Sequence, residues 1–390
     1  MHYFTSITTN YMPKARVLAK SLREHCNEVY FTLVLSDDLP KDFVLENEPF
    51  DQILYIEDLD LQIEDLSMWI FLHNVVELCT AVKGAAILKL LQESHSDKIV
   101  YIDPDIAVFD NLNDLSSTLE KYDIVLTPHQ CVPEEYIQAV IDNEICSLKH
   151  GVYNLGFIAL KRGKNALAFA EWWKERLTHF CYNDIPQGLF TDQRWCDLVP
   201  ALFDGVYIEK HCGYNVASWN LSHRMIKKEG ERYFVNGKPL KFYHFTGLDS
   251  GALEIMTSLY GTTPEVGELV NWYKKSTVEN GQELLGRVTY KYSRFSNGEP
   301  ITEHQRKTMR LREDVQKFFK KTNPFVVEPN EKNYYNWYEQ YGKEIDVDDE
   351  KDRIIMDLNR KIELVKRYLA PLLWVRRLFI RMRMKMHSRK

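Results

Sequence analysis

Asp103 and Asp105 stand two residues apart in Lys98-Ile-Val-Tyr-Ile-Asp-Pro-Asp-Ile-Ala-Val-Phe109, a short apolar run interrupted by Pro104. If that run is a buried strand, its two carboxylates end up at the lip of a sheet. There they can share a hard divalent cation, and through it a diphosphate. The chemistry this predicts is that of a cation-dependent nucleotide-sugar site. Two further Asp-x-Asp triplets, Asp58-Leu-Asp60 and Asp346-Val-Asp348, lie in acidic runs and read as solvated charge. Only the Asp103 triplet follows β-branched residues, and the fixed φ of Pro104 prevents the strand from running through it unbroken. An ordinary acidic turn at a strand end is the plainer alternative for the triplet taken alone.

The elements that must position such a site alternate along the chain. His2 to Thr8 reads as a strand, Asn10 to Pro13 as a turn, Ala15 to Glu24 as an amphipathic helix and Val29 to Leu35 as a second buried strand, which is a β-α-β opening. Further strands are expected at Gln52 to Ile56, Lys98 to Ile102, Asp123 to Leu126 and Val152 to Leu160. Helices are expected near residues 66 to 94, 112 to 121, 133 to 147 and 164 to 180. The pattern predicts an α/β protein with a mostly parallel sheet covered on both faces, whose ligands sit beyond the carboxyl ends of the strands. After Ser250 it changes to helical stretches, including Thr302 to Lys321, and to an aromatic cluster at Tyr334 to Tyr341 that is expected to pack onto the first domain. The resulting division is a domain over 1–250, a helical accessory region over 251–345 and a basic C-terminal helix or tail over 346–390.

The 390 residues are 45% hydrophobic and 27% charged, an ordinary composition for a protein with one large domain and an appendage. Seven cysteines are scattered with no Cys-x-x-Cys pair, and the N-terminus has no basic stretch followed by an apolar one. This predicts a reduced, cytoplasmic protein without a zinc site. The net charge of −6 hides an asymmetry, because residues 360–390 carry eleven Lys or Arg against Glu363 alone. Trp374 and Phe379 among those arginines, with Pro371 as a break, fit a helix lying on an anionic membrane surface rather than crossing it. The acidic body is not expected to bind nucleic acid.

Three more segments carry polar groups beside glycines or at element ends: Gly151-Val-Tyr-Asn-Leu-Gly156, Thr191-Asp-Gln-Arg-Trp195 and Phe242-Tyr-His-Phe-Thr-Gly247. Each alone has a bland reading as a turn, a cap or a core histidine. The order Asn10-Tyr11, Asp103-Pro-Asp105, Tyr153-Asn-Leu-Gly156, Asp192-Gln193, His244-Phe-Thr-Gly247 resembles nucleotide-sugar glycosyltransferases of the GT-A fold. It looks most like those related to glycogenin and the lipopolysaccharide galactosyltransferases, and like bacterial capsule and O-antigen enzymes with a Tyr-Ile-Asp-Pro-Asp motif. The resemblance covers roughly residues 1 to 250.

That resemblance implies a hexosyltransferase in which Asp103, Asp105 and His244 hold Mn²⁺ or Mg²⁺, and a nucleotide-sugar donor, UDP-linked, gives its sugar to a glycan or lipid-linked glycan. Ser6, Thr8, Asn10 and Tyr11 would then line the nucleotide pocket, Asn154 and Gly156 would border the sugar, and Gly247 would let backbone close on phosphate. For the acceptor step, Asp192 would serve as base if the reaction inverts the anomeric centre. If it retains configuration, Gln193 would sit at the sugar's reactive face. Trp195 and Trp219 offer rings for the acceptor. The chain departs from these relatives at Thr8-Thr9, where they tend to carry acids, and after His244, where a Lys-Pro-Trp is absent. A phosphatase with an Asp-x-Asp nucleophile strand is disfavoured by the continuation Ile106-Ala107, and a dehydrogenase or kinase by the lack of a Gly-x-Gly-x-x-Gly or Gly-Lys-Ser/Thr loop. The alternative outside enzymes is a membrane-associated carbohydrate-binding scaffold that keeps the fold without turnover.

Overall fold

The computed structural model of the chain describes residues 1–261, 263–328 and 332–347. The expected α/β architecture is present, with a mostly parallel central sheet flanked by helices and a helical C-terminal region. Strands β1 (His2–Ile7), β2 (Tyr30–Leu35), β3 (Gln52–Tyr55), β4 (Lys98–Ile102), β5 (Ile106–Val108), β6 (Ile124–Pro128) and β7 (Tyr153–Lys161) appear in chain order. The main sheet runs Val206–Ile208, β6, β7, β4, β1, β2, β3. Only β7 is antiparallel to its neighbours, β4 and β6; the other pairs are parallel. Strands β1, β4, β6 and β7 are buried almost throughout, as near-continuous apolar runs between two helical layers should be.

The break at Pro104 divides the motif between two sheets. β4 ends at Ile102, the turn closes with Ile106 N–H donating to Asp103 O (3.1 Å), and β5 enters a second sheet with Phe242–His244 and Val216–Ala217. β5 pairs antiparallel with Phe242–His244 in a register that sets His244 opposite Ile106. Phe245 N–H extends the ladder by donating to Asp105 O (2.8 Å).

The helix Lys164–Phe180 buries Ala166, Phe169, Ala170, Trp173 and Leu177, the spacing of one helical face. It packs against the helix Lys83–Glu93 at Gly84, where a Cβ would stand 2.7 Å from Lys174 Cα. No other side chain lets the two backbones come so close. The single long helix region expected over 66 to 94 is instead three helices, Leu66–Phe71, Val75–Ala81 and Lys83–Glu93. Asn74 restarts the chain as an N-cap, its side chain accepting from Glu77 N–H while Glu77 answers with a bond to Asn74 N–H.

Two compact units are present: Met1–Glu64 with His73–Ser293, and Asp65–Leu72 with the described residues between Arg294 and Val347. The first extends past Ser250 because Leu253, Val266, Leu269, Val270 and Tyr273 bury themselves among Val216, Val235, Tyr243 and Phe245. In the second unit Met68, Phe71, Phe295, Met309, Val315, Phe319, Tyr334 and Tyr338 form a core. The aromatic cluster packs within this core, with the Tyr334 ring 5.2 Å from that of Phe71, a residue expected in the first domain that belongs to the second unit. The reason is that Asp65–Leu72, early in sequence, supplies the apolar surface the later aromatics need. Asp58 and Asp60 are exposed, as expected, and Asp58 also caps a turn through Tyr55 N–H (2.7 Å). Asp348 and the basic segment 360–390 lie outside the described residues.

Candidate functional site

The split strand and its pairing bring Asp103, Asp105 and His244 together, with one donor atom from each lying within 4.8 Å of the others. His244 Nε2 is 3.0 Å from Asp105 Oδ1 and 3.8 Å from Asp103 Oδ2. Burial by itself would push the His244 imidazole down, but the two carboxylates outweigh it and hold its pKa above the ordinary value. Burial likewise opposes ionisation of Asp105, and the facing His244 reverses this to leave the carboxyl below its usual range. Two carboxylate groups and one imidazole suit a divalent ion such as Mn²⁺ or Mg²⁺, so the residues fit the cation that the sequence resemblance implies.

A lysine that the sequence did not single out completes the charge pattern. Lys83, at the start of its helix, reaches Asp192 Oδ2 (2.9 Å), Asp103 Oδ1 (3.3 Å) and Leu155 O (3.1 Å). Its side chain is 3% exposed and that of Asp192 4%. Burial opposes the charge on Lys83, yet Asp103 and Asp192 overcome this and raise its pKa. Asp192 is raised by burial, with Lys83 pulling the other way. Asp103 Oδ1 also accepts the Tyr101 hydroxyl (2.5 Å), and Lys83 Nζ lies 4.0 Å from the Tyr101 ring centroid. The available signal was a lysine opening an apolar helix directly before a glycine.

The second polar layer involves Asn154 and Gln193. Asn154 Oδ1 lies 3.3 Å from His244 Nδ1, and its amide nitrogen lies 3.3 Å from both Gln193 Oε1 and His129 Nε2. Gln193 Oε1 accepts from Leu155 N–H (3.1 Å) and its amide nitrogen donates to His150 O (2.9 Å). Gly156 is required for space, since a Cβ there would stand 2.6 Å from His244 Cε1 and 2.8 Å from Asn154 Oδ1. His129 was not foreseen either. Burial pushes its imidazole down to about 4.

The remaining expected residues occupy several settings. Thr8 donates its hydroxyl to Asn10 Oδ1 (2.6 Å), and Ser6 is buried at the carboxyl end of β1. The Tyr11 hydroxyl donates to Asp249 (3.2 Å), and Lys14, paired with that carboxylate at 2.5 Å, stacks over its ring at 3.9 Å. Gly247 adopts a φ of 80°, the left-handed conformation that turns the chain from His244 toward the helix Ala252–Tyr260. The Trp219 ring lies 5.3 Å from that of His244 and 5.3 Å from that of His129, so it borders the cluster. Trp195 instead packs on Trp172 and Phe180 and donates its indole N–H to Phe180 O (3.3 Å). A cleft of roughly 190 Å³ opens at the carboxyl ends of β2 and β3, lined among others by Asp37, Asp38, Tyr55, Lys291 and Tyr292. Asp37 holds this region by accepting from Thr9 N–H and Lys291 N–H, both at 3.1 Å.

The site and the sheet together define an α/β protein with a carboxylate–histidine cluster where a parallel strand ends. No family model matches the chain. It is 27% identical over 296 residues to the uncharacterized protein YfnF of Bacillus subtilis (strain 168), covering 72% of this chain and 94% of that protein. To the uncharacterized protein YfnD of the same organism it is 22% identical over 249 residues, covering 63% and 77% respectively. Among solved structures it is similar to the galactosyltransferase LgtC in complex with donor and acceptor sugar analogs, with 17% identity, coverage of 67% of this chain and 97% of that one, and a TM-score of 0.37.

Proposed function

We propose that this chain is a divalent-cation-dependent glycosyltransferase of the GT-A type, moving a hexose from a UDP-linked donor to a glycan or lipid-linked glycan in surface polysaccharide synthesis. The observation that carries the reading is the convergence of Asp103, Asp105 and His244, whose donor atoms lie within 4.8 Å of one another although the histidine is remote in sequence. The order of motifs along the chain, from Asn10-Tyr11 to His244-Phe-Thr-Gly247, supports the same reading. Asp103, Asp105 and His244 would hold Mn²⁺ or Mg²⁺, which when bound neutralises charge on the departing diphosphate.

The protein's own groups do the rest. Ser6, Thr8, Asn10 and Tyr11, gathered where β1 ends, would receive the nucleotide, with Gly247 close by on the turn after His244. Asn154 and Gly156 abut His244 and would border the sugar, and Trp219 would present a ring edge to the acceptor. Asp192 and Gln193 are the candidate catalytic pair. Asp192 is linked to Asp103 through Lys83, and Gln193 to His244 through Asn154, so both are coupled to the cation-binding cluster. The basic segment 360–390 would attach the enzyme to the inner face of an anionic membrane; among the described residues no helix is long and apolar enough to cross one.

The test is release of UDP from UDP-hexoses with added Mn²⁺, with and without acceptor. Asp105→Ala is expected to abolish metal-dependent turnover while the protein stays folded. Turnover that persists in the presence of a chelator, or in Asp105→Ala, would overturn the reading, and binding of donor without any release of UDP would favour the scaffold.

A further inference from the structure

The hydrogen bonds behind His244 have a direction that can be followed from one backbone group to the next. Gln193 is fixed at both ends by main chain: Leu155 N–H can only donate, so the atom 3.1 Å from it is the amide oxygen, and His150 O can only accept, so the atom 2.9 Å from it is the amide nitrogen. Gln193 Oε1 therefore faces Asn154 as an acceptor, and the Asn154 atom 3.3 Å away must be its NH₂ group. A second acceptor confirms that side. His129 Nδ1 lies 3.3 Å from Val152 O, which requires its proton there, and so His129 Nε2 presents a lone pair to Asn154 Nδ2 at 3.3 Å. With both amide hydrogens directed at Gln193 and His129, Asn154 Oδ1 is left to face His244 Nδ1 at 3.3 Å, and that nitrogen must carry a proton.

We propose that Gln193, His129 and Asn154 are positioning residues that keep a proton on His244 Nδ1, so that when a divalent cation shared with Asp103 and Asp105 takes the place of the proton Nε2 shares with Asp105 Oδ1 (3.0 Å), Nε2 is the nitrogen that ligates. This rests on the metal reading above and gives Gln193 a task apart from any contact with sugar. The physical case is that a ligating imidazole needs its other nitrogen held, because a free ring wastes affinity on the wrong tautomer and the wrong rotation. The ring is also held in place. Gly156 leaves no room behind His244 Cε1, and Trp219 stands edge to face against both imidazoles. A carboxamide serves here better than a carboxylate, since an aspartate at 154 would face Gln193 Oε1 and His129 Nε2 with acceptors only.

The test measures Mn²⁺ binding by the loss of the free-ion electron paramagnetic resonance signal, in the absence of nucleotide. It is accompanied by ¹⁵N chemical shifts of the His244 ring in the Mg²⁺-loaded protein. Asn154→Leu and His129→Leu are expected to weaken Mn²⁺ by about 10- to 100-fold, the usual effect of removing an outer hydrogen-bond partner. His129→Gln, which can still accept from Asn154 and donate to Val152 O, is expected to stay within about threefold of the parent by the same reasoning. The melting temperature of each metal-free variant separates a lost fold from a lost ligand geometry. His129 is only half-buried, so its variants remain informative if Asn154→Leu fails to fold. Mn²⁺ binding that Asp105→Asn abolishes but His129→Leu leaves unchanged, or a Mg²⁺-loaded ring with its proton on Nε2, would overturn the positioning chain while sparing the metal site. A parent protein that takes up no Mn²⁺ overturns both.

Discussion

Lys83→Met tests whether the buried lysine is the counter-charge of the site or an incidental neighbour. Methionine keeps most of the unbranched stem, so the packing between the helices Lys83–Glu93 and Lys164–Phe180 should survive. What disappears is the ammonium and its bonds to Asp192, Asp103 and Leu155 O. Removing one partner of a buried ion pair costs about 3–5 kcal/mol because the other is left charged and unpaired. The carboxylate of Asp103 is 26% exposed and can recover water, whereas that of Asp192 is 4% exposed and cannot. The penalty therefore falls mainly on Asp192, and we expect the lower end, ~3 kcal/mol, or a fall in Tm of ~6 °C at the ~2 °C per kcal/mol of a large domain. Asp192 can escape by taking a proton. With Lys83 gone its pKa in the folded protein rises further above the unfolded value, so the deficit is full at neutral pH and shrinks as pH falls through that raised pKa. Differential scanning calorimetry from pH 5 to 8 with chelator present reads both effects. Lys83→Met/Asp192→Asn should recover ~1–2 kcal/mol relative to the single variant, since the stranded charge is then absent. A loss below ~1 kcal/mol by the same comparison, or one that does not change with pH, would refute the argument.

Gly156→Ala pushes a methyl group into the space of the His244 ring and Asn154 Oδ1, and should cost ~1–3 kcal/mol while weakening Mn²⁺ binding; unchanged Mn²⁺ affinity would show that the ring has slack. His2 is bonded to Ser94 and Thr32 and held by burial at about 4 rather than 6.5, so it is neutral when folded and takes up a proton on unfolding below pH 6.5. Its contribution is present above pH 6.5 and lost as pH falls toward 4, and His2→Asn should flatten the measured stability slope in that window. Deleting residues 360–390 should release the protein from anionic vesicles in a flotation assay without abolishing transfer to a soluble acceptor; undiminished flotation would dispose of the membrane role.

Much of the scaffold was legible because its signals are local. Lys98–Ile102 and Lys164–Phe180 appear at the boundaries their apolar spacing predicts, and the other strands of the first half shift by no more than a few residues. The chain also singled out Asp103 and Asp105, through a strand broken by proline, whereas His244 joined them only through the family resemblance, since a histidine before a glycine turn is by itself an ordinary core residue. It did not announce Lys83 or His129, which belong to no motif and matter only for what they touch. Nor did it show that Asp65–Leu72 leaves the first unit for the second, since its apolar residues read as one more stretch of an uninterrupted helix.

Sequence by itself determined which residue types were available and roughly where most strands and helices lie, because backbone preference and hydrophobic period act over a few residues. Tertiary structure alone decided their company. The antiparallel pairing of β5 with Phe242–His244 sets the imidazole beside Asp105, and the approach of helices at Gly84 sends Lys83 between Asp103 and Asp192. Those decisions depend on register and packing between distant segments, which no local preference encodes.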